Sequence, residues 1–459
     1  MRHPLGRIRT AQREATRTGQ SGPAAGPLGR LCQDRAAGRA GRDAGGRIGE
    51  GPVGTVVAPK PLLLQDGRPA AAGWSLDPSL RHLNHGSFGA VPLAAQRAQQ
   101  DLREEMERAP VVWFPALPRR VARARAAIAE FLRVPVEFTA LVPNASAGAS
   151  AVYNSLPHLP GGEVLVTDHG YGAVTMGAAR LARRWGGSVR TVHVPLAAGP
   201  EETAAAVLEG LGDRTALIVL DQITSATARR LPIDLIGPAA RERGVPLLVD
   251  AAHVPGLTED PRAGMDCDAW VGNLHKFGCA PRGTAALVAR GELRHALYPL
   301  IDSWGAEEPF PERFDTQGTV DATSYLAAPT ALDFVGRQWG WPQARQYMRE
   351  LADYAQELIG EAFTAATGEP AAAEVGMPVD ALRLVKLPTG LGRTRLEADA
   401  LRDRMATEFG VETAFTSFGG TGYFRLSTHV YNTAADYEYF AENCVPMLCD
   451  WAAKARQEA

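Results

Sequence analysis

Asp250 and Lys276 are the residues whose types and setting could do chemistry. The apolar run 245–249 ends in Asp250. Lys276 follows in the stretch MDCDAWVGNLHKFGCAPRGTAALVAR, between His275 and a turn rich in Gly and Pro. A short run of Leu and Val reads as a strand buried on both faces. An acid at its carboxyl end stands where open α/β sheets bind ligands. Taken singly, the acid could be a helix N-cap and the lysine a solvated surface charge. Together they match the two needs of a pyridine-aldehyde cofactor. A lysine tethers the aldehyde, and a carboxylate keeps the ring nitrogen protonated, so that the ring can accept electrons from a Cα carbanion. The pair predicts pyridoxal 5'-phosphate (PLP), with His253 and His275 close by in sequence.

At these residues the sequence resembles the class V aminotransferase family of fold type I PLP enzymes. Within it, NLHKFGCAPRG is most similar to the isopenicillin N epimerase branch. The resemblance implies roles for further residues. His253 would bond the cofactor's phenolic oxygen, and His275 would contact the phosphate or another part of the cofactor. The turn Asn144-Ala145-Ser146 would cradle the phosphate, and Tyr171 would stack on the ring. In FDTQGTVD, Gly318 and Thr319, with Gln317 before them, would reach the phosphate of a neighbouring subunit, implying a homodimer. In TGYFRLSTHVYNT, Arg425 would clamp the substrate carboxylate. Asn84 and His85, in HLNHGSFG, would meet the substrate at the active-site mouth. The sequence departs from the branch at Gly170, where Glu is usual, and at Gln222, where His is frequent. An amide cannot take a proton at neutral pH as an imidazole can.

The residues themselves leave alternatives. Small residues at a helix N-terminus admit an anion, but Asn144 or Ser146 would also serve as a plain N-cap. Tyr171 could simply pack in its loop. An arginine inside a strand meets an anion or sends its head to solvent. The loop 413–423, TAFTSFGGTGY, holds no cysteine, which argues against the desulfurases of the class. The expected reaction is an amino-acid epimerisation or racemisation. Lys276 would move the Cα proton on one face, with Tyr171 or a water opposite. A PLP-dependent C–S (β-) lyase or a class V aminotransferase is the alternative.

The elements that must position these residues follow from the pattern. Apolar strands alternate with amphipathic segments between 139 and 250, which predicts an α/β fold with a mostly parallel sheet. Helices are expected at 93–107, 119–132 and 343–366, and a closing helix at 436–451 that Pro446 kinks. The expected division is a disordered Arg/Gly/Ala-rich extension at 1–73, a large PLP-binding domain at 74–335 and a small α+β domain at 336–459. A net charge of −3 gives no reason to invoke nucleic acid. No apolar run approaches the roughly 20 residues of a membrane span. The 5 cysteines are odd in number and fit no zinc spacing, so no metal and a cytoplasmic setting are expected.

Overall fold

A computed structural model describes residues 56–458. Its strands are β1 (Arg81–His82), β2 (Thr139–Val142), β3 (Glu163–Thr167), β4 (Val189–Val192), β5 (Thr215–Asp221) and β6 (Leu247–Asp250). They continue as β7 (Ala269–Asn273), β8 (Ala285–Ala289), β9 (Leu382–Lys386), β10 (Val411–Glu412), β11 (Phe415–Phe418) and β12 (Thr421–Ser427). The helices begin with α1 (His85–Phe88), α2 (Leu93–Arg108), α3 (Pro110–Leu132), α4 (Ala145–Ser155), α5 (Gly172–Arg184), α6 (Pro200–Glu209) and α7 (Ile233–Glu242). After these come α8 (Gly291–Ala296), α9 (Thr323–Gln338), α10 (Trp341–Thr367), α11 (Arg395–Phe409), α12 (Ala434–Tyr439) and α13 (Val445–Glu458). No described helix is long and apolar enough to cross a membrane.

The predicted βα alternation builds a seven-stranded sheet in the order β2-β8-β7-β6-β5-β3-β4. Pairing is parallel from β4 through to β7, and β8 runs antiparallel to both its neighbours. The reason is local. The connection from Asn273 to Ala285 is too short for a crossover, so it returns the chain as a hairpin, with Lys276 in the bend. One face of the sheet packs Val219 and Leu248 against α4 and α5. The other packs Leu220, Val249 and Trp270 against α3, α6, α7 and α9. Alternation along β5 and β6 then sets Asp221 and Asp250 on the first face, paired in register, and Gln222 on the second.

A three-stranded antiparallel sheet, β11-β12-β9, packs against α10 and α13 through Phe363, Phe424, Leu426 and Leu448. The N-terminal segment joins this body, because β1 pairs with β10 and Leu83 lies in the same core.

Three sequence expectations need correction. Packing begins before Trp74: Leu64 and Ala70 are buried, and Leu63 O accepts from Trp339 Nε1 at 2.7 Å. The part of the expected disordered extension at 1–55 lies outside the described residues. The segment 119–132 is only the end of a helix that starts at Pro110, where the ring suits the first turn. The closing helix is divided by a π-helical turn, Phe440–Cys444, just ahead of Pro446. A proline has no N–H to give the preceding turn, and the wider turn absorbs the defect.

Two glycines let other segments close on the bend that carries Lys276. Gly89 has φ +69°, and a Cβ there would stand 1.9 Å from His275 O. Gly256 has φ +87°, and a Cβ would stand 2.5 Å from Phe277 O. Gly67, at φ +84°, has open space around it. In urea unfolding, Gly89→Ala should lose roughly 3 kcal/mol or more, strain and collision together. Gly67→Ala should lose only the strain of a left-handed residue, about 1–2 kcal/mol.

Candidate active site

Lys276 is buried in the β7–β8 bend, with Nζ 3.0 Å from His253 Nε2. Burial lowers its amine to about 7, and the charge of Arg425 pushes the same way; Asp250 and Asp221 pull back. His253 is held well below its ordinary range, chiefly by burial, so its ring is neutral. Its Nε2 also lies 3.1 Å from Gly86 O.

Asp250 ends β6. Its Oδ1 accepts from Ala252 N–H at 3.0 Å, while Oδ2 is buried without a partner. Burial pushes the carboxyl up, opposed by the Ala252 bond and by Lys276. A buried acceptor left open in this way suits a donor from outside the chain, such as a protonated ring nitrogen.

Arg425 lies in β12, opposite Leu384 of β9. Nη1 donates to Ser225 O (2.7 Å) and Ser225 Oγ (3.2 Å), and Nη2 to Asn84 Oδ1 (3.1 Å) and Ser87 Oγ (2.9 Å). Nε is buried and unpartnered. No carboxylate among the described residues forms an ion pair with it. Burial lowers even this guanidinium to about 10. A buried cation held only by neutral acceptors would be stabilised by an anion. Tyr171, the N-cap of α5, is exposed and close enough to Arg425 to favour its charge.

The phosphate turn is partly engaged by the fold. Asn144 caps α4, accepting from Ala147 N–H at 2.9 Å, and Ala145 N–H donates to Asn273 Oδ1 at 2.8 Å. The Ala145 N–H is therefore already engaged, whereas Asn144 uses only its side-chain oxygen in capping. Among the described residues, nothing pairs with the N–H or hydroxyl of Ser146. The turn sits close on the sheet because residue 148 is glycine; a Cβ there would stand 2.6 Å from Val271 Cγ1. His275 is partly buried beside Lys276, its Nδ1 donating to Thr284 O at 3.3 Å, and burial lowers it to about 4.

Other residues fall elsewhere. His85 is not at a mouth. It is buried beneath the lysine bend, with Nδ1 accepting from Tyr431 OH (2.9 Å) and Nε2 donating to Lys276 O (3.0 Å). Its ring stacks on His429, centroids 3.9 Å apart. Asn84 supports Arg425 and donates to Thr413 O at 3.0 Å, so it acts on the guanidinium first. Gln222 accepts from Trp270 Nε1 at 2.8 Å on the far face of the sheet. Its amide thus lies away from the surroundings of Lys276. Gly318 and Thr319 are exposed and are not brought to Lys276 within the chain. They line a cavity of about 730 Å³, with Trp304 and Arg282, that reaches Pro143 next to the α4 turn.

Ser87, Ser225, Asp221 and Asn273 were missed by sequence reasoning. Small polar residues in HGSFG and DQITS carried no chemical pattern of their own; only their approach to Arg425, Tyr171 and Ala145 marks them.

Comparison with known proteins gives a family and a fold. The profile of one family, aminotransferase class-V, matches residues 116–440. The isopenicillin N epimerase of Amycolatopsis lactamdurans is 31% identical over 388 residues, 80% of this chain and 95% of that protein. An L-cysteine desulfhydrase of Arabidopsis thaliana is 26% identical over 408 residues, 80% of this chain and 88% of that protein. A solved structure of a C-DES mutant with glycine covalently linked to its PLP cofactor shares the fold, with a TM-score of 0.71 at 19% identity. The match covers 83% of this chain and 99% of that one.

Borohydride reduction of the PLP-loaded protein should leave a cofactor mass on the peptide containing Lys276. Lys276→Ala should show none, and mass spectrometry of the digest reads both.

Proposed function

Because the chain belongs to the class V aminotransferase family and its cofactor is pyridoxal 5'-phosphate, we propose that it is an amino-acid epimerase or racemase, similar to the isopenicillin N epimerases. The observation that carries this reading is the meeting of a buried cation without an acid and a buried amine that is easily deprotonated. Arg425 has no acid, and Lys276 has an amine brought close to neutral. A substrate with an α-carboxylate and an α-amine answers both.

Bound PLP supplies a cationic ring that takes up the electron pair left when the Cα–H bond breaks. The chain's own residues do the rest. Arg425 fixes the carboxylate, Nε giving one bond and an Nη that exchanges a serine hydroxyl for the substrate giving the second. Ser225, Asn84 and Ser87 hold the guanidinium in place. Asp250 Oδ2 would accept a hydrogen bond from the ring nitrogen and so keep that nitrogen protonated. Lys276 Nζ, with an ordinary value moved to about 7 mainly by burial, can both take and return a proton near neutral pH. His253 and His275 stay neutral beside it and do not compete for that proton. Inversion needs a donor on the face away from Lys276, and Tyr171 is assigned to it. Ser146 offers the donors for the phosphate. We place the enzyme in the cytoplasm as a homodimer, with Gly318 and Thr319 facing the neighbouring subunit's phosphate.

A C–S β-lyase is the second reading, favoured by the likeness to L-cysteine desulfhydrase. It shares the proton removal at Lys276 but expels a β-substituent. The loop 413–423 has no cysteine to carry sulfur onward.

Incubation with an amino-acid panel in deuterated water should give deuterium at Cα together with the opposite enantiomer or epimer by chiral chromatography. Release of pyruvate and ammonia without inversion would instead identify the lyase, and a requirement for a keto acid the aminotransferase. Arg425→Lys loses the two-pronged grip. It should raise KM about 10- to 100-fold, one charge-assisted hydrogen bond being worth about 1.5–3 kcal/mol. Cofactor content, read by visible absorbance, should stay unchanged.

A further inference from the structure

Asp221 and Asp250 end neighbouring parallel strands, directly in register and on the same face of the sheet. Both are buried. Few groups among the described residues offset their negative charge. Lys276 faces them from the β7–β8 bend and, among the described residues, is the only cation acting on either. Tyr153 faces them from α4, its hydroxyl donating to Val174 O at 3.0 Å. Tyr171 faces Asp221 from the start of α5, through its backbone. Arg425 and His253 face Lys276 rather than the acids.

The two acids are solvated unequally by the protein. Asp250 receives Ala252 N–H at 3.0 Å and has Oδ2 open. Asp221 receives a single long bond, from Tyr171 N–H at 3.3 Å. Two carboxylates side by side in an interior repel, and only Asp250 has an open oxygen for the cationic ring, so ionising Asp221 as well is costly. We propose that Asp221 and Asp250 hold one proton between them at neutral pH, with Asp221 as its carrier and Asp250 alone presenting a negative charge to the cofactor ring and to Lys276. Burial and the neighbouring Asp250 push Asp221 well above the usual carboxylate range, consistent with this division.

Asp221 is thus a positioning residue. Its carboxyl Oδ1 fixes the backbone of Tyr171, and its neutrality spares Lys276 a second negative charge. An ionised Asp221 would favour the lysine's ammonium and withhold the free amine that must accept a proton. This inference rests on the proposed function for its catalytic consequence, but the protonation of the pair is a property of the cofactor-loaded fold and is read without turnover.

The test is infrared spectroscopy of the PLP-loaded protein at neutral pH, beside Asp221→Asn and Asp221→Thr. Both variants remove the acid, and Asn keeps an acceptor for Tyr171 N–H; whichever retains full cofactor content is used. The band of a neutral carboxylic acid should be present in the parent and lost in the variant. The pH midpoint of the cofactor's visible absorption should stay within a few tenths of a unit, because no charge has been removed. A band that persists unchanged, or a midpoint that falls by about one unit or more, overturns the proposal. Absence of inversion in the deuterium experiment, with the band lost as expected, would instead count against the epimerase reading alone.

Discussion

An uncompensated guanidinium organises this molecule. Arg425 sits in the interior with no acid beside it, and such a charge is costly unless its donors are satisfied. The acceptors come from distant parts of the chain. Ser225 follows β5 of the large sheet, Asn84 and Ser87 belong to the N-terminal segment, and Arg425 itself is in the small sheet. One side chain therefore binds three bodies of sequence together at the place where a carboxylate is to be received. This also explains why the N-terminal segment packs with the C-terminal core instead of preceding a separate large domain.

The lysine bend is held with comparable economy. His85 supports the carbonyl of Lys276 from below, itself fixed by Tyr431. Gly89 and Gly256 allow backbone to approach where a methyl group would collide. The amine is buried there, and its depressed proton affinity follows chiefly from that burial. Rigid support and altered acidity are here one physical fact.

The wider family uses this scaffold for several outcomes, and a shared fold does not select among them. The first proton removal is common to epimerases, lyases and aminotransferases. What separates them is the fate of the electron pair and the donor on the far face. In this chain the proposed donor is Tyr171, and Gln222 is turned away behind the sheet. The departure at Gln222 therefore weighs less on the reaction than its place in the sequence suggests.

Local chemistry was legible in the sequence. The apolar run ending in Asp250, the Gly/Pro bend around Lys276 and the strand arginine at 425 are short-range patterns, and the βα alternation follows from periodicity. The sequence could not reveal direction or distant pairing. Asn144 became a helix cap and Ala145 was taken by Asn273, 128 residues away. His85 turned inward, Ser87 and Ser225 converged on Arg425, and the chain packed from before Trp74. Residue type and spacing state what a side chain can do. Which way it points, and which remote donor or acceptor it meets, is settled only when packing closes the chain on itself, because buried polar groups must find partners wherever the fold brings them.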